Sequence, residues 1–358
     1  MRAPAALRRS TNPGAWSKLA MENPVPVLFL ALCLAGVLVA GMHPVFLINE
    51  MIGRMARNSF LVLSLIIPVQ AGLGLNFGIV LGAMSAQAAL AAVTHWQLPG
   101  LFGLSLTALL AVPIAVALGA FAGQVLNGAR GREMIASMIL GFFMNGVYQL
   151  VFLFMVGTVI PVQNPVMLLP QGFGLRNTFE LTSFKYSLDN LLFVAPGGIA
   201  IPLATLAVVT GLCLAMRWLF NTKLGQDLRA VGSEEHVAAV AGLKTNRLRI
   251  TAVIFSTVLA AWGQIIFLQN IGTVNTYNSH DQTGMFAIAA LLVGGATVRR
   301  ATVGQALLGT FLFHLLFIVS PFAGQRLLGS PQVGEYFRVF IAYGIICIAL
   351  GLHSWRRR

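Results

Sequence analysis

The sequence predicts an all-α membrane protein with about ten transmembrane helices and both termini in the cytoplasm, and three observations carry that expectation. Hydrophobic residues make up 57% of the 358 positions and charged residues 9%, against roughly 25% charged in an ordinary soluble domain. The apolar residues fall in runs close to the ~20 that cross a bilayer core of ~30 Å as a helix, with backbone polar groups paired internally. Lys and Arg collect in alternate connections, as the preference of positive charge for the cytoplasmic side requires.

In chain order the apolar runs are 25–42, 58–71, 77–95, 101–122, 134–156, 196–220, 250–268, 284–298, 302–320 and 337–354. The second and eighth are short for a crossing, and joining 58–95 into one kinked element leaves nine. Charge placement decides. With ten crossings and the N-terminus inside, only Arg54, Arg57, Arg176, Lys185, Arg326 and Arg338 of the 23 Lys and Arg fall outside. Joining the two runs reverses everything downstream and puts most of the positive charge outside. The chain then divides into a cytoplasmic tail, 1–24, a single membrane domain, 25–354, and a basic tail, 355–358. The domain carries an outer excursion at 157–195, rich in Pro, Gly and Asn, and a charged inner loop at 221–249.

The net charge of +13 is that same inner-loop bias, and no basic patch interleaved with aromatics points to nucleic acid. The first run follows basic residues as a secretory leader does, but it is long and lacks a small-residue cleavage site, so a retained first span is expected. Cys33, Cys213 and Cys347 stand singly in separate runs. Their spacing makes neither a disulfide framework nor a paired metal site.

All ten acidic residues sit in connections or at the ends of runs, as do the basic ones. An ion-coupled transporter usually keeps ionisable groups within its spans, because such groups are costly there and retained for function. Here the membrane interior is expected to offer amides, hydroxyls and His314, the one titrating candidate, which is expected to pack neutral and hydrogen-bonded. A membrane-embedded hydrolase would need a clustered nucleophile, base or metal set, and the sequence groups none, so no metal or other cofactor is expected. "GQALLGTF", 304–311, has the glycine spacing of a phosphate loop without its Lys, and opens an apolar run instead of following a strand, which argues against ATP binding by that route.

The stretch "AGLGLNFGIVLGAMSAQ" surrounds Asn76 with Gly72, Gly74, Gly78 and Gly82, a composition that predicts a broken helix beside a polar pathway near midplane. Gly119 and Gly123 instead predict close helix packing. Asn76, Phe77, Gln87, Phe143, Asn145, Tyr148, Gln149 and Gln264 are the candidate pathway residues. Unionised donors and acceptors among aromatics suit a neutral polar solute better than an ion.

The inner loop "GQDLRAVGSEEHVAAVAGLKTNRLR" gathers three of the ten acids with four basic residues. Ser233 is placed to cap a helix whose first turn carries Glu234 and Glu235, complementing the helix dipole, and Gly242 to end it in a left-handed conformation. At eight or so residues, such a helix is ~12 Å long. Lacking Lys, Arg and bulky apolar residues along its length, it suits docking into a protein groove better than lying on lipid headgroups.

With its following run, this loop resembles the cytoplasmic coupling loop of the permease subunits of bacterial ABC importers, in the branch that serves ribose-like sugars, nucleosides and branched-chain amino acids. The resemblance lies in Ala230, Val231 and Gly232, then Ser233, the pair Ala238 and Ala239, and Ala241, Gly242 and Leu243. "LNFGIVLGA", "GREMIASMILGFFMNGV" and "LLVGGATVRRATVGQALLGT" resemble further segments of the nucleoside-like branch. The acidic residue usual in the first is replaced near Val80, and Gly141 stands where the second usually has Asn.

The resemblance implies a transport subunit and no enzyme: a permease pairing with a second permease subunit, an extracytoplasmic solute-binding protein at its outer face, and an ATP-binding subunit contacted by Asp227, Arg229, Ala230, Val231, Gly232, Ser233, Glu234, Glu235, His236, Ala238, Ala239 and Gly242. The solute would be a simple sugar, a nucleoside or a vitamin. A self-sufficient secondary transporter or channel and a membrane-embedded enzyme are the alternatives.

Overall fold

A computed structural model describes residues 24–162, 164 and 166–355. The expected N-terminal tail, apart from residue 24, and residues 356–358 lie outside the described residues. The helices are α1 (Pro24–Ala40), α2 (Pro44–Ser64), α3 (Ile66–Gln70), α4 (Ile79–His95), α5 (Gly100–Gly128), α6 (Glu133–Leu150), α7 (Leu203–Asn221), α8 (Lys223–Ser233), α9 (Glu235–Val240), α10 (Thr245–Ile271), α11 (Asp281–Val293), α12 (Val303–Leu328) and α13 (Pro331–Trp355). A π turn, Val151–Met155, extends α6. Two small antiparallel pairs join β1 (Thr178–Glu180) to β4 (Thr273–Asn275) and β2 (Phe193–Val194) to β3 (Ile201–Pro202).

Among the described residues, six helical stretches are long and apolar enough to cross a membrane: Pro44–Gln70, Gly100–Gly128, Glu133–Met155, Leu203–Asn221, Thr245–Ile271 and Val303–Leu328. Pro24–Ala40, Ile79–His95 and Thr283–Val293 are shorter apolar helices. The all-helical membrane architecture is as expected, but the second run is corrected. It begins at Pro44 rather than residue 58, because α2 carries charge within a continuous helix. Pro44 opens the first turn, where its missing N–H costs nothing. Glu50 and Arg54 pair one turn apart at 3.3 Å, and Arg57 donates to Asn270 Oδ1 at 2.9 Å. These charges dilute the hydropathy that sequence inspection relies on.

The bundle is built around α10, which packs on α2, α4 and α5, while most of α6 faces outward: 61% of the apolar window of α10 is buried against 22% for α6. In lipid, close approach of helices depends on small residues at the crossing. A Cβ on Gly82 would lie 2.4 Å from the Thr257 carbonyl oxygen, and one on Gly123 2.9 Å from Ile250 Cα. Gly119 likewise faces Ile254 and Thr257, so the packing role expected for that pair is what the structure holds.

The connections sort to the two ends of the bundle. At one end, Asn49 bonds Gly198 and Ala200, Arg326 reaches the Gly41 carbonyl, and β1 of the 157–195 excursion pairs with β4 after α10. Phe179, Leu181 and Phe184 are buried there, so the excursion is packed down onto the bundle. At the other end, Gln70 Nε2 donates to the Ala301 carbonyl at 2.6 Å, and the charged loop 221–249 meets the starts of α6 and α10.

Candidate functional site

A polar network crosses the bundle between α4, α6 and the head of α11. Tyr148 donates its hydroxyl to Gln87 Oε1 at 2.8 Å, and His280 Nδ1 lies 2.9 Å from the same atom. His280 Nε2 lies 3.0 Å from Asn145 Oδ1, Asn145 Nδ2 donates to Asp281 Oδ1 at 3.1 Å, and Gln149 donates to Asn145 at 3.3 Å. His280 is fully buried beneath the Tyr148 ring, with centroids 4.7 Å apart. Gln87 Nε2 has no partner.

One turn away the same segment floors a cavity of about 320 Å³. Asn58, Leu61 and Val62 of α2, Phe267 of α10, Asn275, Asn278 and Ser279 of the α10–α11 connection, Thr283, Phe286 and Ala287 of α11, and His314 of α12 line it. Gln264 braces this floor: its Nε2 donates to the Ser279 carbonyl at 3.2 Å, and Thr283 donates to its Oε1 at 2.9 Å. Among the lining residues none is Asp, Glu, Lys or Arg.

The charged end is organised by Arg249, whose side chain is 4% exposed. Its guanidinium donates to Glu133 Oε1 at 2.7 Å, Glu235 Oε2 at 3.2 Å and Asn127 Oδ1 at 2.9 Å. Arg130 meets Glu235 from the other side at 2.9 Å. A single buried cation thus ties α9 to α5, α6 and α10. Helix α8 buries Gly225, Leu228 and Val231 along one face, and α9 leaves Val237 and Val240 61% and 78% exposed, with His236 and Ala239 exposed beside them.

Residues 47–350 match the family model described as branched-chain amino acid transport system / permease component. The chain belongs to that permease family. It is similar to the autoinducer 2 import system permease protein LsrC of Enterobacter sp. (strain 638), 29% identical over 309 residues covering 82% of this chain and 77% of that protein. The LsrC protein of Yersinia pseudotuberculosis (serotype O:1b) is 36% identical over 118 residues, 31% of this chain and 32% of its own length. That of Klebsiella pneumoniae is 38% identical over 110 residues, 29% of this chain and 30% of its own. The matched segments thus span about a third of the Yersinia and Klebsiella relatives. No solved structure matches. The permease is a multi-pass inner-membrane protein.

Of the predicted pathway residues, the permease fold brings Gln87, Asn145, Tyr148 and Gln149 into one network and sets Gln264 under the adjoining cavity. The others lie elsewhere. Asn76 and Phe77 sit in the break at 71–78, where Gly72 and Gly74 take φ of +77° and +72°. That break runs from the charged end, where Gly72 meets Gly232, into the bundle, where Phe77 N–H donates to Ser137 Oγ and the Phe77 carbonyl faces Gly141 of α6 and Gly284 of α11. Phe143 is 62% exposed on the outer surface of α6.

The charged loop also departs from expectation. Ser233 does not cap α9. It closes α8 and donates to the Ala230 carbonyl, while Glu234 breaks the chain in extended conformation ahead of α9. Gly232 faces the bundle, where an added Cβ would lie 2.0 Å from the Gln70 carbonyl oxygen, and Val231 and Ala238 are buried. The expected end of the rod is as predicted: Gly242 has φ +86°, and Leu243 N–H returns to Ala238 O with Gly242 N–H to Ala239 O.

Sequence inspection missed His280, Asp281, Ser279 and Thr283. Their signal was the polar run "NSHDQT" at the head of the eighth apolar run, in which His280 and Thr283 are buried. It also gave no sign that charges in the connections are buried: Asp189, 5% exposed, accepts from the neutral Thr205, Gln269 and Asn270, and Arg249 is held by Glu133 and Glu235. His314 is buried as predicted, but its Nδ1 has no partner.

Proposed function

We propose that this chain is the membrane-spanning permease subunit of an ATP-driven importer, crossing the bilayer ten times with both termini in the cytoplasm. It carries a small neutral polar solute and takes its energy from a separate ATP-binding subunit. The observation that carries this reading is the α8–α9 rod: an exposed apolar strip at Val237, Ala239 and Val240 on a helix held to three bundle helices through Arg249. A helix of six residues is too short to be stable alone, so its rigid attachment to the bundle serves transmission of movement. The excursion at 157–195 supplies a platform for an extracytoplasmic binding protein, and the outward face of α6 a surface for lipid and a second permease subunit. The relatives' names make autoinducer 2 one candidate solute, beside simple sugars and nucleosides.

A self-sufficient secondary transporter is the second reading, favoured by the buried His280–Asn145–Asp281 chain. Reconstitution separates the two. Purified permease alone in lipid vesicles is expected to move no labelled ribose, adenosine or autoinducer 2 under imposed proton or sodium gradients. Gradient-driven uptake without an ATP-binding subunit contradicts the proposal.

A further inference from the structure

Among the described residues, only two of the Asp, Glu, Lys and Arg side chains are buried, Asp189 and Arg249. One stands at each end of α10. Burying a charge is expensive even when it is paired, and apolar replacements of such pairs are often neutral or stabilising, so a retained one points to a role beyond holding the fold. At the inner end Arg249 ties α10 to α9 through Glu235, to α6 through Glu133 and to α5 through Asn127. At the outer end the excursion closes over the last turn of α10. Leu181 N–H donates to the Gly272 carbonyl at 2.9 Å and Tyr186 N–H to the Gln269 carbonyl at 3.0 Å, supplying partners to carbonyls that a helix end leaves open. Asp189 Oδ2 accepts from Gln269 Nε2 at 3.1 Å and Asn270 Nδ2 at 2.7 Å, and its Oδ1 accepts from Thr205 of α7. Asn270 Oδ1 in turn accepts from Arg57 of α2 at 2.9 Å. A guanidinium only donates and a carboxylate only accepts, so the Asn270 amide can bridge them in one orientation alone. Arg57 and Asp189 are thus a charge pair held through one amide of α10. Between its two clasps α10 runs unbroken from Thr245 to Ile271, without the interior proline that α5 has at Pro113 and α12 at Pro321. At ~1.5 Å per residue the clasps stand ~32 Å apart along one helix.

We propose that Asp189 is a positioning residue for energy coupling. Through Asn270 it sets the seat of α10, and through α10 the hold of Arg249 on α9, so that movement of the outer excursion reaches the inner rod along this single helix. The inference deepens the reading of α9 as the coupling helix and rests on it for its use in transport. The linkage itself lies within one chain, and it is tested on the permease alone.

Hydrogen–deuterium exchange read by mass spectrometry, on the purified permease in lipid nanodiscs, follows both ends at once. Asp189→Asn removes the charge and keeps the shape. It is expected to speed exchange about tenfold across 181–194, the loss that goes with hydrogen bonds to a charged group, and about fivefold across 235–243, the lower end of couplings between linked sites. Residues 303–320 of α12, which packs on α1, α2, α11 and α13, should not change. Thr205→Val, which removes one donor and no charge, should give the same pattern at smaller amplitude, and serves where Asp189→Asn does not insert. Because coupling is reciprocal, Arg249→Met should speed exchange across 181–194, a response that a purely local outer anchor would not give. Glu180→Gln, an exposed loss of the same charge on β1, should alter neither end. Faster exchange confined to 181–194 in Asp189→Asn, an equal rise across 303–320, no response of 181–194 to Arg249→Met, or the same pattern in Glu180→Gln would each overturn the assignment. Failure of α9 to dock on an ATP-binding subunit would leave these exchange rates as they are, so the two accounts fail separately.

Discussion

Ala239→Arg is expected to abolish solute-stimulated ATP hydrolysis when the permease is assembled with its ATP-binding subunit, while insertion and thermal stability stay as in the parent. Ala239 is exposed on α9 between Val237 and Val240, so a long cationic side chain there disturbs nothing inside the chain. In a docked groove the same guanidinium would be trapped without a partner, and a mismatched charge at an interface costs several kcal/mol, with each ~1.4 kcal/mol worth a factor of ten. A loss of ~100-fold in stimulation is therefore the expected size. A pulldown of the ATP-binding subunit and a coupled hydrolysis assay check it, and full stimulation by the variant removes the coupling role from this helix. Gly232 is the poorer probe: any side chain there strikes the Gln70 carbonyl, which would confuse folding with docking.

Arg249→Met is expected to uncouple the permease from within. Removing the guanidinium leaves Glu133 without its countercharge and Glu235 held by Arg130 alone, and breaking a buried pair in this way costs ~3–5 kcal/mol. Part of that cost appears as a lower midpoint in thermal unfolding. The rest appears as freedom of α9, since Glu235 is its anchor to α10 and α6. Basal ATP hydrolysis by the assembled complex should persist while the increment on adding solute and binding protein shrinks. Glu235→Gln, which keeps a hydrogen-bonding amide in place, should fall between the parent and Arg249→Met in both measurements. If Arg249→Met retains the full increment at reduced stability, the network only holds the fold together.

Much of this was legible in the sequence because it rests on local chemistry. Apolar run length gave the helical membrane architecture, positive-φ glycines gave the break at Gly72 and Gly74 and the end of the rod at Gly242, and isolated amides in apolar runs picked out Gln87, Asn145 and Gln149. What escaped was set by partners distant in the chain. Helix α2 hides its charges through the Glu50–Arg54 pair and the Arg57–Asn270 bond across 213 positions, so hydropathy alone starts it too late. Ser233 has every local qualification of a cap, yet the Gly232–Gly72 contact holds that residue in the last turn of α8. His280 reads as a loop residue because the Gln87, Asn145 and Tyr148 that bury it come from two other helices. The cavity draws its lining from α2, α10, α11 and α12, and no periodicity within one run predicts it.

The central claim, that energy reaches this permease through α9, is tested most directly by site-specific photo-crosslinking. A benzophenone amino acid placed at Val240, 78% exposed, and a control at Phe142, 69% exposed on the outward face of α6, would be irradiated in native membranes and the adducts identified by mass spectrometry. The account predicts an adduct between position 240 and a nucleotide-hydrolysing protein, absent from position 142. Adducts of position 240 with phospholipid alone would contradict it.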